Sequence, residues 1–125
     1  MWKSINGQLI HTTDISRVKF RTNLSKSIIE HLKDISNDND TYVNYLIETG
    51  LEEVLSHGII NFSKESRPKD RVQYKTTYDK ELLEEVKQFA KKHNLGANDV
   101  IEYSVQFIDI EKSKKRDYQH RIEKE

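Results

Sequence analysis

The sequence predicts a mainly helical protein organised around one two-stranded antiparallel ribbon, and three observations lead there. A strand-like alternation running into a helix-like stripe occurs twice, as "RVKFRTNLSKSII" from Arg17 and "RVQYKTTYDKELL" from Arg71. A constant offset of 54 residues (71 − 17) then aligns the two copies without a gap through Leu55 and Asp109. Finally, one strand followed by two helices cannot close a core, because the strand needs a partner and the helices need a second pair. Two copies in one chain meet both needs: antiparallel strands pair into a ribbon over four helices, related by a pseudo-two-fold axis.

The repeat rests on identity as well as pattern. Arg17/Arg71, Val18/Val72, Thr22/Thr76, Lys26/Lys80, Glu30/Glu84, Lys33/Lys87, Asn44/Asn98, Ile47/Ile101 and Glu48/Glu102 are identical across the offset. Apolar character is kept at Phe20/Tyr74, Leu24/Tyr78, Ile28/Leu82, Ile29/Leu83, Leu32/Val86, Ile35/Phe89, Leu46/Val100 and Leu51/Val105. Identity and pattern in register mark an internal repeat, and two copies are too few for a solenoid.

Each element has a local reason. Residues 1–16 form an N-terminal arm or a short hairpin, with Asn6-Gly7 as the hairpin's turn. The first repeat, residues 17–58, opens with Val18, Phe20, Thr22 and Leu24 alternating with Lys19, Arg21 and Asn23, the period of a half-buried strand. Ser25, and Asp79 in the second copy, are N-cap residues whose side-chain oxygens can accept a first-turn amide. The next helix carries Ile28, Ile29, Leu32 and Ile35 on one stripe, and its twin carries Leu82, Leu83, Val86 and Phe89. Asn37-Asp38-Asn39-Asp40 and His93-Asn94 end these helices with residues that tolerate a left-handed backbone. A second helix turns Val43, Leu46, Ile47, Leu51, Val54 and Leu55 inward and stops at Gly58. Gly50 and Ser104 occupy equivalent inward positions, which suits a close crossing of the second helices. Residues 59–70 form a linker holding the only proline, Pro68, and residues 71–110 form the second repeat. Its last helix is predicted from about Ala97 through Val100, Ile101, Val105 and Ile108. Residues 111–125 are a charged C-terminal tail that frays or extends that helix.

Composition sets limits on function. Of 125 residues, 34% are apolar and 34% charged, enough for a thin helical core and not for a large enzyme-like pocket. The absence of cysteine excludes disulfides, thiolate metal sites and cysteine nucleophiles. His11, His31, His57, His93 and His120 lack metal-ligand spacing and are expected at the surface. No nucleophile motif, phosphate-binding glycine loop or paired-carboxylate constellation appears. The expectation is a protein that is not an enzyme and needs no cofactor. No apolar run approaches the length of a membrane span or signal-peptide core, so a cytoplasmic location without membrane association is expected. The net charge is zero, yet Arg17, Lys19, Arg21 and Lys26 form a stretch without an acid, and residues 64–80 are also net basic. Basic strands on a neutral body make a local electrostatic footprint.

This combination resembles the ribbon-helix-helix family of DNA-binding proteins, the MetJ/Arc type, in two tandem copies covering residues 17–57 and 71–110. The second copy carries "NLGANDVI" and the first "DTYVNYLI" where the family has a G-x-S-x-S-like turn and an apolar-Ile pair. Asn94 and Asp40 stand in place of the usual glycine, and Gly96 and Tyr42 in place of the first serine, which weakens the expected turn capping. Family members usually assemble from two identical chains, whereas this chain carries both halves and can form an intramolecular pseudo-dimer. The linker reaches up to ~40 Å at about 3.3 Å per residue. The competing topology pairs each copy with its counterpart in another chain.

The resemblance implies that the ribbon enters the major groove of double-stranded DNA and that its outward side chains read base edges. By alternation these are Lys19, Arg21 and Asn23 from the first strand and Gln73, Lys75 and Thr77 from the second. Arg and Lys suit guanine O6/N7, Asn and Gln suit adenine N6/N7, and Thr serves either. The phosphate-clamping positions at the N-termini of the second helices fall on Val43 and Asn44, and on Ala97 and Asn98. The competing role for the asparagines is stabilising the first helical turn. The expected function is a nucleoid-associated transcriptional repressor, with side-by-side self-association on DNA. Alternatives are an accessory factor for plasmid transfer or partition, or an antitoxin-like module whose C-terminal tail binds a protein.

Overall fold

The structure, a computed structural model, describes the backbone of residues 2–5, 8–11 and 17–115 and the side chains of residues 17–115. The fold is mainly helical with a two-stranded antiparallel ribbon at its face. A separate pair, β1 (Trp2–Ile5) and β2 (Gln8–His11), runs antiparallel with Trp2 opposite His11 and Ile5 opposite Gln8. The backbone therefore follows the hairpin alternative, whose expected turn at Asn6-Gly7 lies outside the described residues.

The ribbon consists of β3 (Arg17–Ser25) and β4 (Arg71–Asp79), paired within the chain. Its register places Arg21 opposite Lys75, which are equivalent positions across the offset of 54. Every other pairing follows symmetrically, from Arg17 opposite Asp79 to Ser25 opposite Arg71. The paired strands are thus centred on Arg21 and Lys75. Leu24 and Tyr78, again equivalent, are fully buried beneath the ribbon.

Each strand runs directly into a helix, α1 (Lys26–Asp38) and α3 (Lys80–Lys92). Both expected N-caps form: Ser25 Oγ accepts from the Ile28 amide at 3.3 Å, and Asp79 Oδ1 from the Leu82 amide at 2.9 Å. Past the helix ends the chain reverses through Asp40 (φ 51°) and Asn94 (φ 57°), the two equivalent positions where the resemblance expects glycine. Asn and Asp adopt the left-handed region at low cost because their short polar side chains bond locally. From there α2 (Val43–His57) and α4 (Ala97–Ser104) pass through the centre. Leu46, Ile47, Leu51, Val54, Val100 and Ile101 are essentially inaccessible. Gly58, at φ 69°, closes α2 as expected.

Gly50 lies at the crossing of α2 and α4. A Cβ placed there would sit 2.3 Å from the backbone oxygen of Ser104, its counterpart in the other repeat. Only a residue without a side chain lets the helices approach this closely.

Two expectations are corrected. The last helix does not continue through Ile108: α4 ends at Ser104, Val105–Phe107 is a single 3-10 turn, and Ile108 is extended. The chain leaves the helix because the Asp109 amide bonds Thr49 Oγ1 at 2.9 Å while the Ile108 side chain lies over Gly50. The segment after residue 110 also does not extend α4, since extended Ile108 separates the two. Residues 110–115 are helical, and Ser113 is buried in a hydrogen bond with Thr41 in the turn before α2. The remainder of the expected tail, residues 116–125, lies outside the described residues.

Candidate nucleic-acid interface

The outward face of the ribbon is polar and carries three basic side chains. Alternation exposes Lys19, Arg21 and Asn23 on β3, and Gln73 and Lys75 on β4. Thr77, the sixth expected reader, is half-buried. Its Oγ1 accepts from Asn44 Nδ2 at 3.2 Å and from Arg17 Nε at 3.5 Å. No ion pair joins Lys19, Arg21 or Lys75 to a carboxylate among the described residues. Arg21 and Lys75 are directly opposite each other in the register, and like charges so placed destabilise a ribbon by up to ~1 kcal/mol. An anionic partner would remove that cost.

The arginines at the strand ends behave differently, and this corrects the sequence reading of an acid-free basic stretch. Arg17 donates to Glu48 Oε1 at 2.8 Å, and Glu48 Oε2 accepts the Asp79 amide at 3.0 Å. The equivalent arrangement pairs Arg71 with Glu102, whose Oε2 accepts the Ser25 amide at 2.8 Å. Each carboxylate therefore holds the start of its own repeat's strand and the end of the other's. Both side chains are nearly or fully excluded from water. A carboxylate so placed is tolerated because an arginine and an amide satisfy it. The signal was available, since both residues of each pair are identical across the repeat. Burial of Glu48 on an otherwise acidic helix hid it.

The two ends differ in one respect. Position 45 is Tyr45, whose ring lies 5.3 Å from the Arg17 guanidinium carbon. Its equivalent (45 + 54) is Asp99, fully buried, which takes Arg71 at 2.8 Å and Arg67 of the linker at 2.6 and 3.0 Å. Burial pushes the Asp99 carboxyl up, but the hydrogen bonds from Arg67, Arg71 and the Gly96 amide outweigh it and hold it down to about 2. The linker contributes a second anchor: Asp70 Oδ2 accepts the Ser27 amide at 3.0 Å, and its carboxyl is lowered chiefly by that bond. Nothing in the local pattern of residues 59–70 announced either role.

The second helices begin at Val43 and Ala97, the positions the resemblance implies. Neither Tyr42 nor Gly96 supplies a side-chain cap. The asparagines do part of that work: Asn44 Oδ1 accepts the Tyr45 amide at 3.1 Å, and Asn98 Oδ1 the Asp99 amide at 3.0 Å. Their Nδ2 groups reach the ribbon, Asn44 to the Thr77 carbonyl at 3.2 Å and Asn98 to the Asn23 carbonyl at 3.1 Å. This stabilising role is the alternative weighed above, and it places both helix N-termini at opposite ends of the exposed face. First-turn amides such as those of Val43, Asn44, Ala97 and Asn98 have no acceptor within their own helix. A polar cleft of about 470 Å³, lined by Asp40, Thr41, Tyr42, Val43, Asn44 and Tyr74 among others, leaves the α2 terminus open.

Of the histidines expected at the surface, His31 and His57 are exposed. His93 is half-buried against Phe89, with Nε2 inaccessible and without a hydrogen bond among the described residues. His11 and His120 lie outside the described side chains. Compared with protein-family models, with curated proteins and with solved structures, the chain matches none. Among the described residues no helix is long and apolar enough to cross a membrane.

Proposed function

We propose that this chain is a tandem ribbon-helix-helix protein, an intramolecular pseudo-dimer that reads double-stranded DNA by seating its ribbon in the major groove and acts as a transcriptional repressor. One observation carries the reading: the register centred on Arg21 and Lys75. It gathers three cations without an ion pair among the described residues and two amides on one exposed face, and sets a helix N-terminus at each end of it.

The exposed readers span four residue steps, about 13 Å at ~3.3 Å per residue, comparable to four base-pair rises of ~3.4 Å. A two-stranded ribbon fits the major groove, whose edges present a distinct pattern for each base pair. The helix termini bring free amides and the positive ends of helix dipoles, which suits the flanking phosphates. Zero net charge limits non-specific attraction, so affinity rests on local contacts.

The test is the Arg21→Ala/Lys75→Ala double variant. Both side chains are exposed, so helical content by circular dichroism should match the parent. Binding to a duplex selected from a random pool by the parent chain should fall by at least ten-fold. A double variant that binds the selected duplex like the parent would refute the assignment.

A further inference from the structure

Resting on the reading of the ribbon as a DNA reader, we infer that its subsite is non-palindromic, with a guanine-preferring end set by Lys19 and an adenine-preferring end set by Asn23 and Gln73. The two-fold axis makes Lys19 equivalent to Gln73, and Asn23 equivalent to Thr77. A ribbon with identical strands would present the same two readers at each end. Here the register instead places Lys19 opposite Thr77 at one end, and Asn23 opposite Gln73 at the other.

The hydrogen bonds sharpen that difference. At the first end Arg17 has one carboxylate partner among the described residues, Glu48, with Tyr45 where the other end has a second acid, and it also reaches across to Thr77, donating to its carbonyl at 3.1 Å. Asn44 completes the capture of Thr77, so Lys19 is the reader left free there. At the second end Asp99 replaces that tyrosine and draws Arg71 inward. Asn98 Nδ2 meets the strand at the Asn23 backbone carbonyl, and the Asn23 side chain stays exposed beside that of Gln73. The divergence of a single buried position, Tyr45 against Asp99, is thus transmitted to the reading surface. A lone ammonium suits guanine O6/N7, and two adjacent carboxamides suit adenine N6/N7.

Selection of duplexes from a random pool by the full chain tests this, repeated with Lys19→Gln and with Gln73→Lys. The parent should enrich a short motif with guanine dominant at one end and adenine at the other. Lys19→Gln should change the guanine end towards adenine by about ten-fold in preference, and Gln73→Lys should change the adenine end towards guanine. Both substitutions are at exposed positions, and circular dichroism checks that the fold is kept. A palindromic parent motif, or an asymmetric motif that neither substitution alters, overturns the inference while leaving DNA reading in place. Failure of the folded parent to enrich any motif overturns DNA reading and this inference together.

Discussion

Gly50→Ala sets two opposing effects against each other at the centre of the molecule. An alanine in a helix interior is favoured over glycine by about 1 kcal/mol. On that ground alone the substitution would stabilise α2. The added Cβ, however, would lie 2.3 Å from the Ser104 backbone oxygen and 3.3 Å from Ile108 Cγ2. An ordinary contact needs roughly 3.4 Å, so the helices must separate by about 1 Å, and a gap of that size forfeits a quarter to a half of each contact's attraction. The obstacle is main chain rather than a flexible side-chain end, which rules out relief by rotamer change. Overpacking of this kind costs about 1–3 kcal/mol and occasionally more. With main chain as the obstacle the upper part of that range, about 2–3 kcal/mol, applies, and after the propensity gain of about 1 kcal/mol the net loss is about 1–2 kcal/mol. Thermal unfolding followed by circular dichroism should show a Tm lowered by roughly 4–8 °C per kcal/mol for a domain of about 100 residues. A variant as stable as the parent, or more stable, would refute the claim that the two repeats meet at this point without room to spare.

Three further outcomes follow from the buried polar groups. Glu48→Gln should destabilise by about 3–5 kcal/mol in urea titrations, because it removes the one carboxylate paired with Arg17 among the described residues, whereas Glu102→Gln should cost less because Asp99 still pairs with Arg71. A loss under about 1 kcal/mol for Glu48→Gln would mean this carboxylate does not hold the ribbon. Asp99 has a folded pKa depressed from 3.8 to about 2, so its contribution is complete above pH 3.8 and is lost as pH falls through 2. Asp99→Asn should accordingly cost about 2 kcal/mol at pH 6, with the gap to the parent closing near pH 2; a gap independent of pH would refute the linkage. Ser113→Ala should cost about 1–3 kcal/mol by leaving buried Thr41 Oγ1 unpaired, and no change would show that the 110–115 helix adds nothing to the fold.

Much of this architecture was legible in the sequence because the repeat imposes its own geometry. The offset of 54 makes Arg21 and Lys75 equivalent, and an axis relating equivalent strands has to place one such pair opposite each other. Ser25 and Asp79 as caps, Asp40 and Asn94 as left-handed residues, and Gly58 as a stop are local chemistry, and local chemistry reads directly. What alternation cannot tell is whether a half-buried polar side chain has an internal acceptor. Arg17, Arg71 and Thr77 therefore looked like surface groups, although Glu48, Glu102 and Asn44 claim them from elements at least 28 residues away. The same blindness to distant partners concealed Arg67 and Asp70 in the linker. It also concealed the early end of α4, which follows from Thr49 capturing the Asp109 amide rather than from any helix-stop residue.

Linking β3 to β4 through residues 59–70 has a consequence for how the molecule behaves on dilution. A ribbon built from two separate chains exists only above the dissociation constant of its dimer, and below it the ribbon disappears. A short covalent connection instead holds the strands at an effective concentration in the millimolar range, whatever the number of molecules in the cell. Assembly of the ribbon then becomes a first-order event completed within one molecule. A few copies per cell suffice to present it, without a threshold for subunit association.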